Sequence, residues 1–441
     1  MEIYSGILVC GLINLFIWLF WAFYLFLLKV PMYNPLFMVM VYHFIGFVMR
    51  PLIVYQNNGS FLWDRIGIYP TSTEDIVIGS LIINVSFSML MFGYFFRSGF
   101  SRKIPMLDFQ KLESLNIRRF WVCVLILTAL GYYGTYKSFF GAGLDSVLAY
   151  QFTSESSGVR RLQDVSGYQT ALAEFLPIIA IFLTLTCRNK IIPFVFIASF
   201  MIVRMYGGAQ RLSFVVVLLA LFFMYLMYSG KRYPNIKIVV FAFIFAFIFD
   251  VVGNDRYAMR KIFAGESSIS TILDEYFQER GDNALTSDVV EFDVAMATIK
   301  VVNDNSEFSY GSQYLRLLVW PIPRQIWNDK PVLTNIVELN DYGDFRYLTI
   351  TLYADVYMAF GLFSSVIMMF LLGWFMAYVY ELALNKKSVF GYMFFWVFII
   401  YIKTIMRDGG VTVFYFWIFS MVAVYFVSRI GRLEFSNRKG L

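Results

Sequence analysis

The feature that most constrains this chain is the recurrence of apolar runs, each about 18 to 25 residues long. Wound as a helix, such a run advances about 1.5 Å per residue and matches the hydrocarbon thickness of a bilayer. Eleven spans are predicted, at roughly 4–28, 35–56, 75–96, 119–137, 168–187, 191–205, 212–229, 236–252, 362–383, 390–406 and 411–428. Composition agrees. Hydrophobic residues make up 59% of the 441 and charged residues 15%, where a soluble domain carries roughly 25% charge. The expected fold class is all-α, a polytopic helical integral membrane protein of about eleven transmembrane helices. The first run has no small-residue cleavage site and is expected to stay as an anchor. Arg50-Pro51 interrupts the second span. The stretch 349–361 is apolar but carries Asp355, as expected of a re-entrant or interfacial piece.

One segment escapes the pattern. Residues 253–347 hold 15 of the 30 acidic and nine of the 36 basic residues. Three divisions follow: 1–252 with the first eight spans, 253–361 as one large loop with its re-entrant segment, and 362–441 with the last three spans and a tail. The loop 253–347 has net charge −6 (9 minus 15) and the remainder +12 (27 minus 15). The connections holding Lys29, Arg97 to Arg119, Arg188, Lys190, Lys231, Arg232, Lys386, Lys387 and the tail arginines fall on one side by alternation. The positive-inside rule places that side in the cytoplasm and the large loop outside. This charge split fits membrane topology and not nucleic-acid binding.

Familiar catalytic constellations are missing from the sequence. His43 is the single histidine, so a His-based zinc site and a Ser-His-Asp triad are unavailable. In the second span it reads as a hydrogen-bonded packing residue. No Walker loop or dinucleotide fingerprint occurs. Cys10, Cys123 and Cys187 all lie in apolar runs and form no disulfide framework. Glu291 and Asp293, two residues apart, are the one acidic pair weighed as metal ligands, and no metal or other cofactor is expected.

Arginine at the outer membrane boundary stands out. Charge at that depth is costly and marks a functional path. Arg204 ends the sixth span and Arg211 follows Gly207-Gly208. Arg256 and Arg260 follow the eighth span, Arg407-Asp408-Gly409-Gly410 forms the last outer turn, and Arg160-Arg161 precedes the fifth span. Guanidinium offers a permanently charged planar fork suited to phosphate. The bland alternative is snorkelling to lipid headgroups. Trp320 and Trp327 read either as part of an aromatic belt or as platforms for a sugar face.

Taken together, Gly-Gly-x-x-Arg at 207–211, Arg-Tyr at 256–257, Pro-Arg-x-x-Trp-x-x-Lys-Pro at 323–331, Arg-Asp-Gly at 407–409 and a large late loop carry a resemblance. Over roughly residues 200–430 the chain resembles the Wzy-type O-antigen and enterobacterial common-antigen polymerases of the bacterial inner membrane. The amino-terminal half resembles them in topology only. The resemblance implies a GT-C-like membrane glycosyltransferase with its active site facing the periplasm. Such an enzyme moves a growing glycan from undecaprenyl pyrophosphate onto a new undecaprenyl-pyrophosphate-linked repeat unit. Its implied partners are undecaprenyl-pyrophosphate-linked oligosaccharides, membrane lipid and a chain-length-regulating co-polymerase of the Wzz type, with no nucleic acid. Arg211, Arg256 and Arg407 are the expected pyrophosphate ligands, and Asp255, Asp355 and Asp408 are the expected bases by position. Arg260, Arg324, Arg204, Arg161, Trp320, Trp327 and Lys330 are the expected substrate-binding residues. O-antigen ligases share the design but use a histidine in the large loop, which has none here. A flippase or transporter is the non-enzyme alternative, disfavoured by the absence of an internal repeat.

Overall fold

The computed structural model describes residues 2–56, 73–100, 103–139, 171–206, 212–240, 290–306, 308–319, 341–343, 348–385 and 388–436, with isolated positions in 265–274, 322–327 and at 339 and 345. Among them, six helices are long and apolar enough to cross a membrane, at Ser5–Leu27, Pro35–Gln56, Thr73–Ser98, Ile117–Lys137, Leu362–Leu384 and Val389–Asp408. Four shorter apolar helices accompany them, at Leu172–Thr186, Ile191–Arg204, Val217–Tyr228 and Phe416–Ile430. The expected span 236–252 lies mostly outside the described residues. Large apolar side chains such as Phe16, Phe23, Leu125, Phe194 and Phe363 stand exposed along the outer helix faces. Water would penalise such surfaces, and lipid would not. The fold is that of an all-α membrane protein.

Numbering the helices in chain order, α1 is Glu2–Leu27 and α2 is Pro35–His43. A π-helical turn, Phe44–Met49, joins α2 to α3, Arg50–Gln56, without breaking the span. The reason lies in Pro51, which has no N–H to offer the carbonyl of residue 47. Asn14 of α1 donates to that Phe47 carbonyl at 2.7 Å instead, and Ser80 and Asn84 hold the Asn14 amide oxygen at 2.7 and 2.6 Å. A buried polar knot thus stabilises the wider turn, which the arginine and proline alone suggested would interrupt the helix.

The closest helix pair is α4, Thr73–Ser98, against α12, Leu362–Leu384. A methyl on Gly93 would fall 1.9 Å from the Phe370 carbonyl oxygen, and one on Gly373 1.9 Å from that of Leu90. Small residues on both sides let the backbones touch, which is how apolar helices associate when lipid removes the hydrophobic drive between them.

Between these lie α5, Ile117–Phe139; α6, Phe175–Thr186; α7, Ile191–Tyr206; α8, Leu212–Tyr228; α9, Glu291–Asn305; α10, Ser312–Val319; and α11, Leu352–Phe360. The chain closes with α13, Val389–Asp408, and α14, Gly410–Tyr425. The basic connections gather at one end of the bundle. Arg97 pairs with Glu381 at 2.8 Å, and Tyr380 donates to Pro105 O at 2.8 Å. Arg232 bonds the Lys29 carbonyl. A two-stranded antiparallel ribbon, β1 (Leu112–Ser114) with β2 (Leu433–Phe435), ties the first long connection to the tail in the register Leu112↔Phe435.

At the opposite end, parts of the acidic loop enter the bundle. Helix α9 is buried from Phe292 to Ile299 and packs on the π turn, α4 and α11. Lys300 reaches Asp75 at the start of α4, 3.4 Å away, and Asp304 on its own helix at 2.9 Å. Helix α11 is buried from Leu352 to Ala359 and starts on a Thr351 cap whose hydroxyl accepts from Ala354 N. It ends at Gly361 (φ 64°), which turns the chain directly into α12. The stretch 349–361, expected to be re-entrant or interfacial, is a short buried helix packed inside the bundle, and α9 is packed there too without having been expected to be.

Candidate functional site

Four pieces meet at the end of the bundle away from the basic connections: the α13–α14 turn, the start of α11, the start of α9, and the α2–α3 span. The turn is made by Gly409 (φ 78°), a left-handed backbone that favours glycine. A methyl there would lie 3.1 Å from Ile350 O and 3.4 Å from the Asp355 Cβ and Cγ atoms. Close backbone approach therefore seats the turn that carries Arg407 and Asp408 against Asp355. Arg407 Nε lies 3.7 Å from Asp408 Oδ1, with the side chains 36% and 24% exposed. Tyr314 of α10 donates to Asp355 Oδ2 at 3.5 Å, and Gln313 to Asp355 O at 3.2 Å. Burial and the neighbouring Asp355 charge push the Tyr314 hydroxyl well above its ordinary range.

Glu291 begins α9 with its Cβ 3.2 Å from the point where a methyl on Gly46 would sit, so the π turn is cut away to admit it. Burial pushes the Glu291 carboxyl above its ordinary value. The nearby Arg407 and Lys403 charges pull it down, and Asp408 adds to the rise. Glu291 Oε2 and the Tyr42 hydroxyl are buried and, among the described residues, find no hydrogen-bond partner. Tyr42 is 6% exposed, and the charges of Glu291, Asp408 and Arg407 all act on its hydroxyl.

Two further pairs frame this cluster. Arg50 binds Asp293 through Nη2 to Oδ2 at 2.5 Å and Nε to Oδ1 at 3.2 Å, both side chains buried. His43 stacks on Phe87 at 3.9 Å between centroids and shares its Nδ1 with the Tyr353 hydroxyl at 3.2 Å, the packing role expected of it. Glu291 and Asp293 do not converge on a common point. On a helix, neighbours two apart point to different sides, and Arg50 holds the second carboxylate. Among the described residues no group of three or more His, Cys, Asp or Glu side chains could hold a metal ion.

The sequence-derived candidates divide accordingly. Arg407, Asp408 and Asp355 are brought together. Arg204 is 4% exposed and sits elsewhere, its Nη2 3.6 Å from Glu174 Oε1 and donating to Ala173 O at 3.4 Å. Tyr401 donates to the other Glu174 oxygen at 2.7 Å, making Arg204 part of an internal tie. Trp327 is 39% exposed. Arg211, Arg256, Asp255, Arg260, Arg161, Arg324, Trp320 and Lys330 lie outside the described residues. Sequence reasoning missed Lys403, although it stands one helical turn before Arg407 in an apolar run, the i, i+4 spacing that puts both on one face. It also missed Tyr42, for which no sequence signal exists.

Chemically, the cluster offers cations for an anionic leaving group, carboxylates that accept protons, and hydroxyls for polar ligands. Comparison with family models, with curated proteins and with solved structures finds no match. The class that fold and site define is therefore an all-α membrane protein with a partly buried charged cluster at one end of its bundle. A more particular reading rests on the chemistry of that cluster.

Proposed function

We propose that this chain is a polysaccharide polymerase of the O-antigen kind, a glycosyltransferase of the bacterial inner membrane. It transfers a growing glycan from undecaprenyl pyrophosphate to a new lipid-linked repeat unit at the periplasmic face. One observation carries the reading: the Arg407-Asp408-Gly409 turn sits against Asp355, with Glu291 and Lys403 within electrostatic reach, at the end opposite the basic connections. The positive-inside rule puts those connections in the cytoplasm and the cluster outside, where lipid-linked repeat units are presented.

The chemistry fits the residues. The donor brings its own activated pyrophosphate, so no nucleotide site is needed. Arg407 and Lys403 supply positive charge to the departing pyrophosphate in a site of low polarity, where such charge acts strongly. A carboxylate takes the proton of the attacking hydroxyl. The bundle holds two lipid-tethered substrates in one plane, which converts much of the alignment cost into binding. Arg211 and Arg256 are proposed as additional pyrophosphate ligands.

The test is reconstitution. Purified protein in lipid, given undecaprenyl-pyrophosphate repeat units alone, is expected to build a ladder of longer lipid-linked glycans without any nucleotide. Strict dependence on a lipid A–core acceptor would identify a ligase, and a change of sidedness without lengthening would identify a flippase. No ladder from folded protein with correct repeat units would overturn the proposal.

A further inference from the structure

We propose that Glu291 is the proton acceptor for the attacking hydroxyl, with Tyr42 as its partner in binding that hydroxyl; the assignment rests on the transferase reading above. The sequence offered three aspartates for this role. Of the two described, Asp355 accepts from Tyr314, and its backbone carbonyl is held by Gln313. Asp408 has an oxygen without a donor, but Arg407 Nε lies 3.7 Å from it and pairs with its charge. Asp293, the other buried carboxylate here, is neutralised by Arg50 in a two-point pair.

Glu291 shares the donor-free oxygen of Asp408 but, among the described residues, has no cation at ion-pair distance. Its Oε2 is buried with no donor, and the Tyr42 hydroxyl, within range of its charge, is likewise without a partner on a side chain that is 6% exposed. Unmet buried polar atoms are costly, and two of them on segments that touch where Gly46, one turn after Tyr42, meets Glu291 mark a place where a ligand supplies the missing partner. A sugar hydroxyl matches both: it donates its proton to a carboxylate oxygen and accepts from a phenol. Burial raises the Glu291 carboxyl above its ordinary value, which favours a proton acceptor.

The step balances. The acceptor oxygen forms a bond to the anomeric carbon of the donor glycan, and its proton passes to Glu291 Oε2. The bond from that carbon to the pyrophosphate oxygen breaks, and the electron pair leaves with the lipid pyrophosphate beside Arg407 and Lys403. The buried Arg50–Asp293 pair two residues on fixes the start of α9, and so the direction in which Glu291 points.

Glu291→Gln and Glu291→Asp variants, reconstituted with undecaprenyl-pyrophosphate repeat units, test the assignment. The expected result is a loss of kcat of about 10²- to 10⁴-fold in Glu291→Gln, with KM little changed and partial recovery in Glu291→Asp. Infrared difference spectra across a pH series give a second readout that needs no turnover. A protonated-carboxyl band titrating above the ordinary carboxylate range is expected in the wild type and is expected to be missing from Glu291→Gln. Turnover of Glu291→Gln within about threefold of wild type would overturn the assignment while leaving the polymerase reading intact. An unchanged carboxyl band in Glu291→Gln would overturn it as well. Absence of any wild-type ladder would instead count against the polymerase reading, whatever the spectra show.

Discussion

Arg50 and Asp293, 243 residues apart in sequence, form a buried two-point ion pair that joins the second expected span to the start of helix α9. Two desolvated charges in one geometry gain little over an apolar pair of equal volume, yet removing one leaves the other buried and uncompensated. The pair therefore acts as an address. It admits α9 in one register, with Glu291 turned towards Gly46 and the Arg407 turn.

Breaking the address tests this. Arg50→Ala and Asp293→Ala are each expected to destabilise the protein by about 3–5 kcal/mol, whereas Arg50→Met combined with Asp293→Leu costs far less. Thermal unfolding in detergent, arranged as a double-mutant cycle, reads the difference. Equal and additive losses would show that the two side chains act independently.

The Gly93–Gly373 contact makes a second prediction. Neither site has room for a methyl, and the obstructing atoms are backbone carbonyl oxygens with no freedom to swing away. Gly93→Ala or Gly373→Ala is expected to cost at least about 1–3 kcal/mol, the range for overpacking a tight interior. Gly391→Ala, whose added methyl would meet nothing closer than 3.6 Å, is the control in the same unfolding assay.

Stability should also depend on pH through Glu291. Its folded-state carboxyl is raised above the unfolded value, mainly by burial. The stabilisation this represents is complete at pH below the ordinary carboxylate range and is lost as pH rises through the raised folded value. Glu291→Gln keeps the side chain neutral throughout, so it is expected to gain stability over wild type as pH rises and to lose that advantage in acid. Melting temperatures of the two proteins across a pH series supply the comparison. A constant difference at all pH would contradict it.

Sidedness can be read by labelling. Tyr310 and Leu115 are both well exposed, at opposite ends of the bundle, and the three native cysteines are buried. In intact cells Tyr310→Cys is expected to react with an impermeant thiol reagent and Leu115→Cys is not. The reverse pattern would place the charged cluster in the cytoplasm and remove the basis for periplasmic chemistry.

Much of the bundle was legible because period and length alone define an apolar span. Ten of the expected spans coincide with the six long and four shorter apolar helices. The Arg407-Asp408-Gly409 turn was legible for a different reason: charge and glycine between two spans can only be a turn at the boundary. Helix α9 was not, because its 15 residues are too few to cross a bilayer and sit among acidic neighbours. What buries it is tertiary: the groove opened by Gly46 and Gly79, and the counter-charge of Arg50. No local pattern announces a partner 243 positions away. Arg204 illustrates the converse, since the same boundary position that marks a ligand also suits an internal tie to Glu174.

Lipid-linked pyrophosphate is expected to bind at the Arg407 turn. An electron cryomicroscopy map of the protein in lipid with an undecaprenyl-pyrophosphate repeat unit tests it most directly. Pyrophosphate density within hydrogen-bonding distance of Arg407, with the first sugar towards Glu291 and Tyr42, is the expected result. Pyrophosphate density among the basic connections around Arg232 and Arg97, with the Arg407 turn empty, would contradict the account.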